Sequence, residues 1–434
     1  MYDVGIEHGK VYVDGTFHDM NVYIKGETIR ALTTGICECS KRINAQGKFV
    51  LPGFIDPHVH FSLGVGANMS KDDFYSGSVE AAYGGVTTYI DFLDPIKKTE
   101  EIKREFESRL SLASKSVVDY AFHATVANPT SDSLELIKEC KKYGIDSIKL
   151  FTTYADTDRR TYDDTIYELL KASKEENAKI VIHAENDDLI DHGKDILVKD
   201  HERARATICE NVEVLKLAQL ARKSGGNLYI VHVSAGSSVK LLSEIFKEEL
   251  GSHQITLESC PHYFLLNSSL LEREDGYKYT MTPPIRPEEE RVLLNQYKQY
   301  ISTIGTDHCP YTKEQKAHTY TSEVPMGIGG IRYSFLNMYS LYGFQCLNLF
   351  TKGPAEAYHL EKKGVLLPGY DADLVIFDPS KTTVVDDEMS VYDKKELQGS
   401  IESVLVRGSL VLYKQQLIEH NGRYIRRGDQ NARH

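Results

Sequence analysis

The stretch GFIDPHVHFS, residues 53–62, joins a short apolar segment to two histidines that lie two positions apart. The apolar half is typical of the end of a buried strand, and the Asp-Pro pair that follows interrupts it. Side chains two positions apart in an extended chain point the same way, so His58 and His60 would face one point. The stretch therefore predicts a strand that delivers two imidazoles to a common ligand.

Apolar strands of the same kind recur along the chain after this stretch. They are VTTYIDF, VVDYAFHA, SIKLFT, KIVIHAE, LYIVHVS, ITLESC and ISTIGTD. Amphipathic segments that predict helices accompany them at residues 72–83, 100–114, 131–143, 162–176, 202–224 and 237–250. Eight strands with intervening helices are the number found in a (β/α)8 barrel. A doubly wound sheet is the alternative topology.

The two ends of the chain have a different sequence pattern, in which apolar and polar residues alternate as in β-strands and glycine stands at the turns. VYVDG and MNVYIKGETIRAL stand near the start, and GYDADLVIFDP and ESVLVRGSLVLY near the end. Because chain termini often lie close together, we expect both ends to form one small β-sandwich domain. The predicted division is residues 1–50 for its first part, 51–362 for the barrel, and 363–434 for its second part and a C-terminal tail.

Composition limits the class of protein and its partners. The chain has 434 residues, 41% hydrophobic and 26% charged, as in a globular protein of one large barrel with an appendage. A net charge of -12 argues against nucleic acid and against an anionic membrane surface as partners. Seven irregularly spaced cysteines do not form a disulfide pattern. No signal core or long apolar run is present, so we expect a cytoplasmic location.

Metal-type side chains stand at the carboxyl ends of four predicted strands, where barrel enzymes carry their chemistry. These residues are His58, His60, His183, His232 and Asp307. A single histidine after a strand is more often structural. Several imidazoles and a carboxylate at one end of a barrel instead predict a site for a divalent transition metal.

Lys149 lies inside the apolar strand SIKLFT, where an ammonium ion is costly unless it is paired or neutralised. One interpretation is an ion pair with an acid. The other is an amine that adds carbon dioxide near divalent metal and becomes a carbamate, which can bridge two metals about 3.5–4 Å apart. One metal would then take His58, His60, Lys149 and Asp307, and the other Lys149, His183 and His232.

A series of segments resembles the amidohydrolase superfamily, and within it the cyclic amidohydrolases of the dihydropyrimidinase and hydantoinase group. They are GFIDPHVHF, DDFYSGSVEAAYGGVTTYIDF, SIKLFTTY, IVIHAEN, HERARA, YIVHVSAG, ESCPHYFLL, MTPPIR, GTDHCPY and GYDADLVIFDP. The resemblance implies a distorted (β/α)8 TIM barrel. It also implies two zinc ions per chain, bridged by carboxylated Lys149 and a hydroxide. The implied reaction is hydrolysis of a dihydropyrimidine or hydantoin-type cyclic amide to an N-carbamoyl amino acid.

The resemblance extends to roles for individual residues. Asp307 would act as the catalytic base, and Tyr154 would donate a hydrogen bond to the developing oxyanion and contact the substrate. Thr282 and Met326 stand where hydantoinases commonly have serine and asparagine, and the contacts of the family there are largely made by the main chain. The polar segment ADTDRR, residues 155–160, stands where hydantoinases of bulky apolar substrates carry aromatic residues. A homotetramer, or a dimer, is also implied.

Other members of the superfamily remain as alternatives. Allantoinase and dihydroorotase share the metal set, but HFSLGVG lacks the arginine and acid with which dihydroorotases hold a substrate carboxylate. A non-catalytic dihydropyrimidinase-related protein is the alternative from another class. Such proteins lose metal ligands, whereas this chain keeps all six.

Overall fold

A computed structural model describes residues 1–418 and 420–428 of the chain. Residue 419 and residues 429–434, the last part of the predicted C-terminal tail, lie outside the described residues. The strands β1 to β19 are, in order, Tyr2–Val13, Thr16–Lys25, Thr28–Thr33, Cys39–Asn44, Phe49–Pro52, Phe54–Asp56, Gly64–Val65, Asn68–Met69, Val86–Phe92, Asp119–Thr125, Ser147–Phe151, Lys179–His183, Leu228–Ile230, Ile255–Ser259, Thr303–Ile304, Leu374–Val384, Glu396–Val406, Ser409–Tyr413 and Gln416–Leu417. The helices α1 to α13 are Phe74–Tyr83, Ile102–Ala113, Ser133–Lys142, Asp163–Glu176, His201–Ala204, Thr207–Ser224, Gly236–Ile245, Lys247–Gly251, Pro261–Leu265, Glu288–Gln296, Lys313–Lys316, Ser334–Tyr342 and Lys352–Ala357.

Eight strands form a nearly closed parallel barrel in the order β6, β9, β10, β11, β12, β13, β14, β15. This order confirms the barrel and is incompatible with the doubly wound alternative. Strands β9 and β10 are buried along their whole length, as expected where helices cover one face and the barrel interior the other. Ile90, Ala121, Val181 and Tyr229 from four strands fill the interior, which is a packed core and not a channel.

The first and last strands of the barrel meet through side-chain and loop contacts. The carboxylate of Asp56 accepts hydrogen bonds from the Thr306 amide at 3.1 Å and the Thr306 hydroxyl at 2.6 Å. Immediately after these residues, Val59 and His308 form a parallel bridge. Asp56, at which the sequence pattern predicts that the strand ends, therefore links the first and last strands of the barrel next to His58 and His60.

Both chain ends contribute to a second, mostly antiparallel sheet, as predicted. Its order is β19, β18, β17, β16, β5, β1, β2, β3, with β4 pairing with β1. Strand β5 lies at the join of the two chain ends and continues through Gly53 into the first barrel strand. A Cβ atom on Gly53 would lie 2.2 Å from Thr87 Oγ1, so this crossing requires glycine. The domain boundaries at residues 50 and 362 stay predictions.

Each of the six predicted helical segments corresponds to helix in the structure, but two of them are interrupted and further helices occur. The helix predicted for residues 202–224 is divided into α5 and α6 at Arg205 and Ala206, and that predicted for 237–250 is divided at Phe246. The sequence pattern does not predict helices α9 to α13. Across residues 1–418 and 420–428, no helix has the length and apolar character needed to cross a membrane.

Candidate metal centre

Five of the six predicted metal ligands lie at or just after the carboxyl ends of barrel strands, and the sixth, Lys149, lies within a strand. His58 and His60 follow β6, His183 ends β12, His232 follows β13 and Asp307 follows β15. Lys149 is the third residue of β11. Because parallel strands end at the same rim, five separate strands direct these side chains toward one end of the barrel.

His58, His60 and Asp307 form the tightest part of the cluster. Asp307 Oδ1 lies 3.2 Å from His58 Nε2 and 3.0 Å from His60 Nε2, and the three ligand atoms lie within 4.8 Å of one another. Burial alone would raise the pKa of Asp307, but the adjacent imidazoles lower this pKa below its ordinary value. Asp307 is therefore a carboxylate that can hold a cation or accept a proton.

His183 and His232 extend the cluster on its other side. Their ring centroids lie 4.6 Å apart, and the His232 centroid lies 5.4 Å from that of His58. Burial lowers the pKa of His183 and holds the pKa of His232 well below its usual range. Both imidazoles are therefore neutral at physiological pH, which is the form that binds metal.

Lys149 is buried in the same pocket, where the charges of Asp307 and Glu258 favour its ammonium form but do not outweigh the effect of burial. Its Nζ atom lies 5.5 Å from the ring centroid of Phe92 and 5.2 Å from that of Phe151. Its side chain forms no ion pair with any of the described residues, so the structure does not support the ion-pair interpretation. Burial lowers the pKa of Lys149 to about 8. An amine in this setting is readily deprotonated.

Two buried glutamates that the sequence reasoning missed orient the histidines. Glu258 Oε1 lies 2.8 Å from His58 Nδ1, and Glu185 Oε2 lies 2.7 Å from His183 Nε2. These contacts occupy one nitrogen of each ring and leave His58 Nε2 and His183 Nδ1 available to a metal. The sequence signal for both is an acidic residue in or beside an apolar strand, ITLES for Glu258 and KIVIHAE for Glu185, comparable to the lysine inside SIKLFT.

The nitrogen atoms of the cluster fit a metal site. His58 Nε2, His60 Nδ1 and His232 Nδ1 are buried without a hydrogen-bond partner among the described residues, which is costly unless another ligand takes them. Neutral imidazoles with one carboxylate are a donor set for zinc and similar ions. His232 and Asp307 also have positive φ angles of 39° and 52°, a strained conformation that occurs at functional sites.

Tyr154 stands at the edge of the cluster. Its ring centroid lies 5.4 Å from that of His183, and its φ angle of 69° turns the chain sharply after β11. Burial raises the pKa of Tyr154 to about 12, although the nearby Arg205 guanidinium opposes the shift. The phenol is therefore protonated at neutral pH and can donate a hydrogen bond.

Thr282 and Met326 are partly buried and lie on two chain segments that the structure brings together. The Gly327 amide donates to the Thr280 carbonyl at 3.2 Å, which joins the segments. Ile328 forms a parallel bridge with His308, the residue after Asp307. The pair thus lies next to the rim that carries the metal ligands.

Comparisons with known proteins agree with this geometry. Residues 49–411 match the amidohydrolase family. The chain is 32% identical to a D-hydantoinase of Geobacillus stearothermophilus over 463 aligned positions, which cover 98% of this chain and 97% of the relative. It is 29% identical to a D-phenylhydantoinase of Escherichia coli O127:H6, with 90% of each chain covered.

Solved structures give the same result. The crystal structure of dihydropyrimidinase from Brevibacillus agri NCHU1002 superposes with a TM-score of 0.91 at 27% identity, covering 98% of this chain and 99% of the other. A D-hydantoinase from Bacillus sp. AR9 superposes with a TM-score of 0.92 at 29% identity and the same coverage.

Proposed function

The chain belongs to the amidohydrolase family, and we propose that it is a zinc-dependent cyclic amidohydrolase that opens a dihydropyrimidine or hydantoin-type ring to an N-carbamoyl amino acid. The observation that carries this proposal is the convergence of four imidazoles, Asp307 and an unpaired lysine at one rim of the barrel. Relatives named D-hydantoinase and dihydropyrimidinase over nearly the whole chain support the choice of a cyclic amide.

The chain offers ligands for two ions. The first would be held by His58, His60, Lys149 and Asp307, and the second by Lys149, His183 and His232. Lys149 can contribute to both only as a carbamate, formed when its neutral amine adds to carbon dioxide with loss of one proton. When bound, the pair of ions would supply Lewis acidity and a water with a pKa near neutrality.

Asp307 would move the proton. Its carboxylate accepts a proton as water adds to the ring carbonyl carbon, and it returns that proton to the ring nitrogen when the carbon–nitrogen bond breaks. The low pKa of Asp307 keeps it ionised and ready for the first step. The ring opens without loss of a fragment, so one water is consumed and one product forms.

Tyr154 would stabilise the oxygen on which negative charge develops. A protonated phenol next to His183 can donate a hydrogen bond to that oxygen, and the bond strengthens as charge accumulates. The main chain at Thr282 and Met326 would hold the ring itself.

The proposal also includes a cytoplasmic location and a homo-oligomer, either a tetramer or a dimer. Light scattering measures the oligomeric state.

A hydrolysis panel tests the proposed function. Zinc-loaded protein is assayed with hydantoin, dihydrouracil, phenylhydantoin, allantoin and dihydroorotate, with Asp307→Asn as the matched inactive control. We expect turnover of hydantoin or dihydrouracil by the wild-type protein and none by the variant. Preference for allantoin or dihydroorotate would move the protein to another branch of the family, and no turnover of any ring would contradict the proposal.

Metal analysis tests the binuclear centre separately. We expect two zinc-like ions per active chain and loss of activity after exhaustive chelation. Active protein with one ion or fewer would contradict the two-metal arrangement while leaving cyclic amide hydrolysis intact.

A further inference from the structure

Lys316, like Lys149 and Lys179, is a buried lysine whose amine forms no ion pair with a carboxylate among the described residues. It ends helix α11, with only 2% of its surface exposed. Its Nζ atom donates to two main-chain carbonyls, that of Thr280 at 2.7 Å and that of Gly327 at 2.6 Å. Burying an amine costs free energy that an apolar side chain of equal length would not, and the two hydrogen bonds to main-chain carbonyls offset part of that cost.

The two carbonyls that Lys316 binds flank the segments proposed to hold the ring. Thr280 lies two residues before Thr282, and Gly327 directly follows Met326. The Gly327 amide also donates to the Thr280 carbonyl at 3.2 Å. Lys316 is therefore a bridge that fixes the distance between the two ring-binding segments.

The main-chain carbonyls on both sides of Thr282 accept hydrogen bonds from buried side chains, whereas the carbonyl of Thr282 itself does not. His201 Nε2 lies 2.9 Å from the Met281 carbonyl, and the Tyr263 hydroxyl donates to the Pro283 carbonyl at 2.7 Å. The amide and carbonyl of Thr282 form no hydrogen bond with any residue that the structure describes. A cyclic amide carries an N–H donor beside a C=O acceptor, and a free main-chain amide and carbonyl complement such an edge.

Resting on the proposed function, we propose that Lys316 is a positioning residue for ring recognition, because its amine binds one carbonyl on each segment and so holds the main chain at Thr282 and Met326 in a fixed arrangement. Such an arrangement favours binding because the entropy cost of ordering the two segments is met when the protein folds and not when the substrate binds. His201 and Tyr263 each hold only the Thr282 segment.

The test compares Lys316→Met with Lys179→Met. Lys179 is also a buried lysine that donates to one carbonyl, that of His253 at 3.1 Å, but it begins β12 at the opposite end of the barrel. Both substitutions keep most of the side-chain volume and remove the ammonium. We expect Lys316→Met to raise KM for hydantoin about ten-fold, the effect of losing a well-made hydrogen bond, with a smaller change in kcat and an unchanged metal content.

Discrimination against N-methylated rings separates positioning from general loss of stability. The wild-type protein is expected to disfavour one of the two N-methylhydantoins, which identifies the ring nitrogen that donates to the Thr282 carbonyl. In Lys316→Met this preference for hydantoin should shrink several-fold, whereas in Lys179→Met it should stay at the wild-type ratio. If Lys316→Met does not fold, the same ratio is measured on Lys316→Gln, which keeps a donor and should give an intermediate value.

The outcomes distinguish the inference from the function on which it rests. Wild-type protein that hydrolyses none of the rings overturns the proposed function. Wild-type protein that hydrolyses hydantoin, with an unchanged KM and methyl discrimination in both Lys316 variants, overturns only the role of Lys316. Equal effects of the Lys316 and Lys179 substitutions would also overturn it, because they would report lost stability and not lost positioning.

Discussion

Lys149 occupies a position that accommodates an ammonium ion poorly. Burial lowers its pKa to about 8, and among the described residues no acid forms an ion pair with it; the faces of Phe92 and Phe151, 5.5 and 5.2 Å away, attract a cation only weakly. The same site contains buried imidazole nitrogens that have no hydrogen-bond partner among the described residues and that a metal cation would bind. A carbamate on Lys149 would satisfy both conditions, because it replaces a misplaced positive charge with an anion between two positive ions.

Replacing Lys149 by alanine should therefore remove metal. Without the bridging anion, two divalent ions would repel one another strongly in a low-dielectric site, so we expect the metal content to fall from two ions to one or fewer. Activity should fall by orders of magnitude, and a short acid such as propionate should restore part of it in the presence of zinc. Lys149→Arg should show no such rescue, because guanidinium cannot add carbon dioxide.

Lys179→Ala is the matched control for this substitution, since it removes a buried lysine at the other end of the barrel. Metal content is measured by elemental analysis on both variants. A Lys149→Ala protein with wild-type metal content and rate would make Lys149 a structural lysine only.

Tyr154 gives a second test at the level of a single atom. Tyr154→Phe removes only the phenolic oxygen, so the metal content and the fold should not change. Loss of one oxyanion donor typically lowers kcat about 10²–10³-fold, and we expect a decrease of that order with a small effect on KM. Steady-state kinetics on hydantoin measure it, and a kcat within a factor of two of wild type would exclude Tyr154 from the oxyanion site.

At the scale of elements, the barrel strands could be predicted because each is a short and mostly apolar segment between turn residues. The helices could be predicted less well. Helix α6 begins only after Arg205 leaves the helical path, and Arg205 then binds Glu185 through two nitrogens at 2.7 and 3.2 Å. A contact between distant elements decides this break, and the local helical pattern of residues 202–224 carries no sign of it.

In the candidate site, too, some residues could be predicted from the sequence and others could not. The proposed ligands could be predicted since strand ends converge in any barrel, whatever the details of packing. The residues that hold them could not, because Glu258 reaches His58 across 200 positions of sequence. Lys316 bridges two loops whose proximity exists only in the folded chain.

The loop formed by residues 155–160 bears on substrate choice. Asp158 pairs with Lys97, and Arg160 pairs with Asp188 at 2.9 Å, so the loop is tied to its neighbours by charges. Arg159 follows the turn at Tyr154 and lies close enough for its charge to oppose the rise in the pKa of that phenol. A charged mouth disfavours bulky apolar groups, which would desolvate these charges without replacing their partners.

Small or polar-substituted rings should therefore be hydrolysed in preference to phenyl-substituted rings. The ratio of kcat/KM for phenylhydantoin to that for hydantoin should be below one, and Arg159→Leu should raise it. Arg104→Leu, on an exposed face of α2, is the control that should leave it unchanged. Phenylhydantoin as the best substrate of the wild-type protein would reverse this expectation.

At the scale of the whole molecule, a buried ionic cluster joins the barrel to the chain-end sheet. Asp119 begins β10 at the rim opposite the metal ligands and is fully buried. Lys363 Nζ and Arg407 Nε each lie 3.0 Å from its carboxylate, and Lys363 also pairs with Asp373 at 2.6 Å. Lys363 precedes strand β16, and Arg407 lies in the turn between β17 and β18, so the cluster couples the stability of the barrel to that of the second sheet.

Asp119→Asn should destabilise the molecule without altering the site. Removing one partner of a buried ionic cluster leaves the cations under-compensated, which typically costs about 3–5 kcal/mol. The loss should be seen as a lower midpoint in urea or thermal unfolding, with unchanged metal content and KM, because the cluster lies at the far rim of the barrel. Asp386→Asn, which breaks the exposed pair with Lys394, should have almost no effect.

The stabilising effect of the Asp119 carboxylate should depend on pH. Burial alone would raise the pKa of Asp119, but Lys363 and Arg407 outweigh burial and lower this pKa below its ordinary value. Its contribution to stability is therefore fully present above the unfolded-state pKa of about 3.9 and is lost as the pH falls through the folded-state value. Wild-type protein should lose more stability than Asp119→Asn between neutral pH and that acidic range, so the two unfolding midpoints should converge on acidification. Midpoints that stay equally far apart at every pH would show that the substitution acts through packing and not through the charge of Asp119.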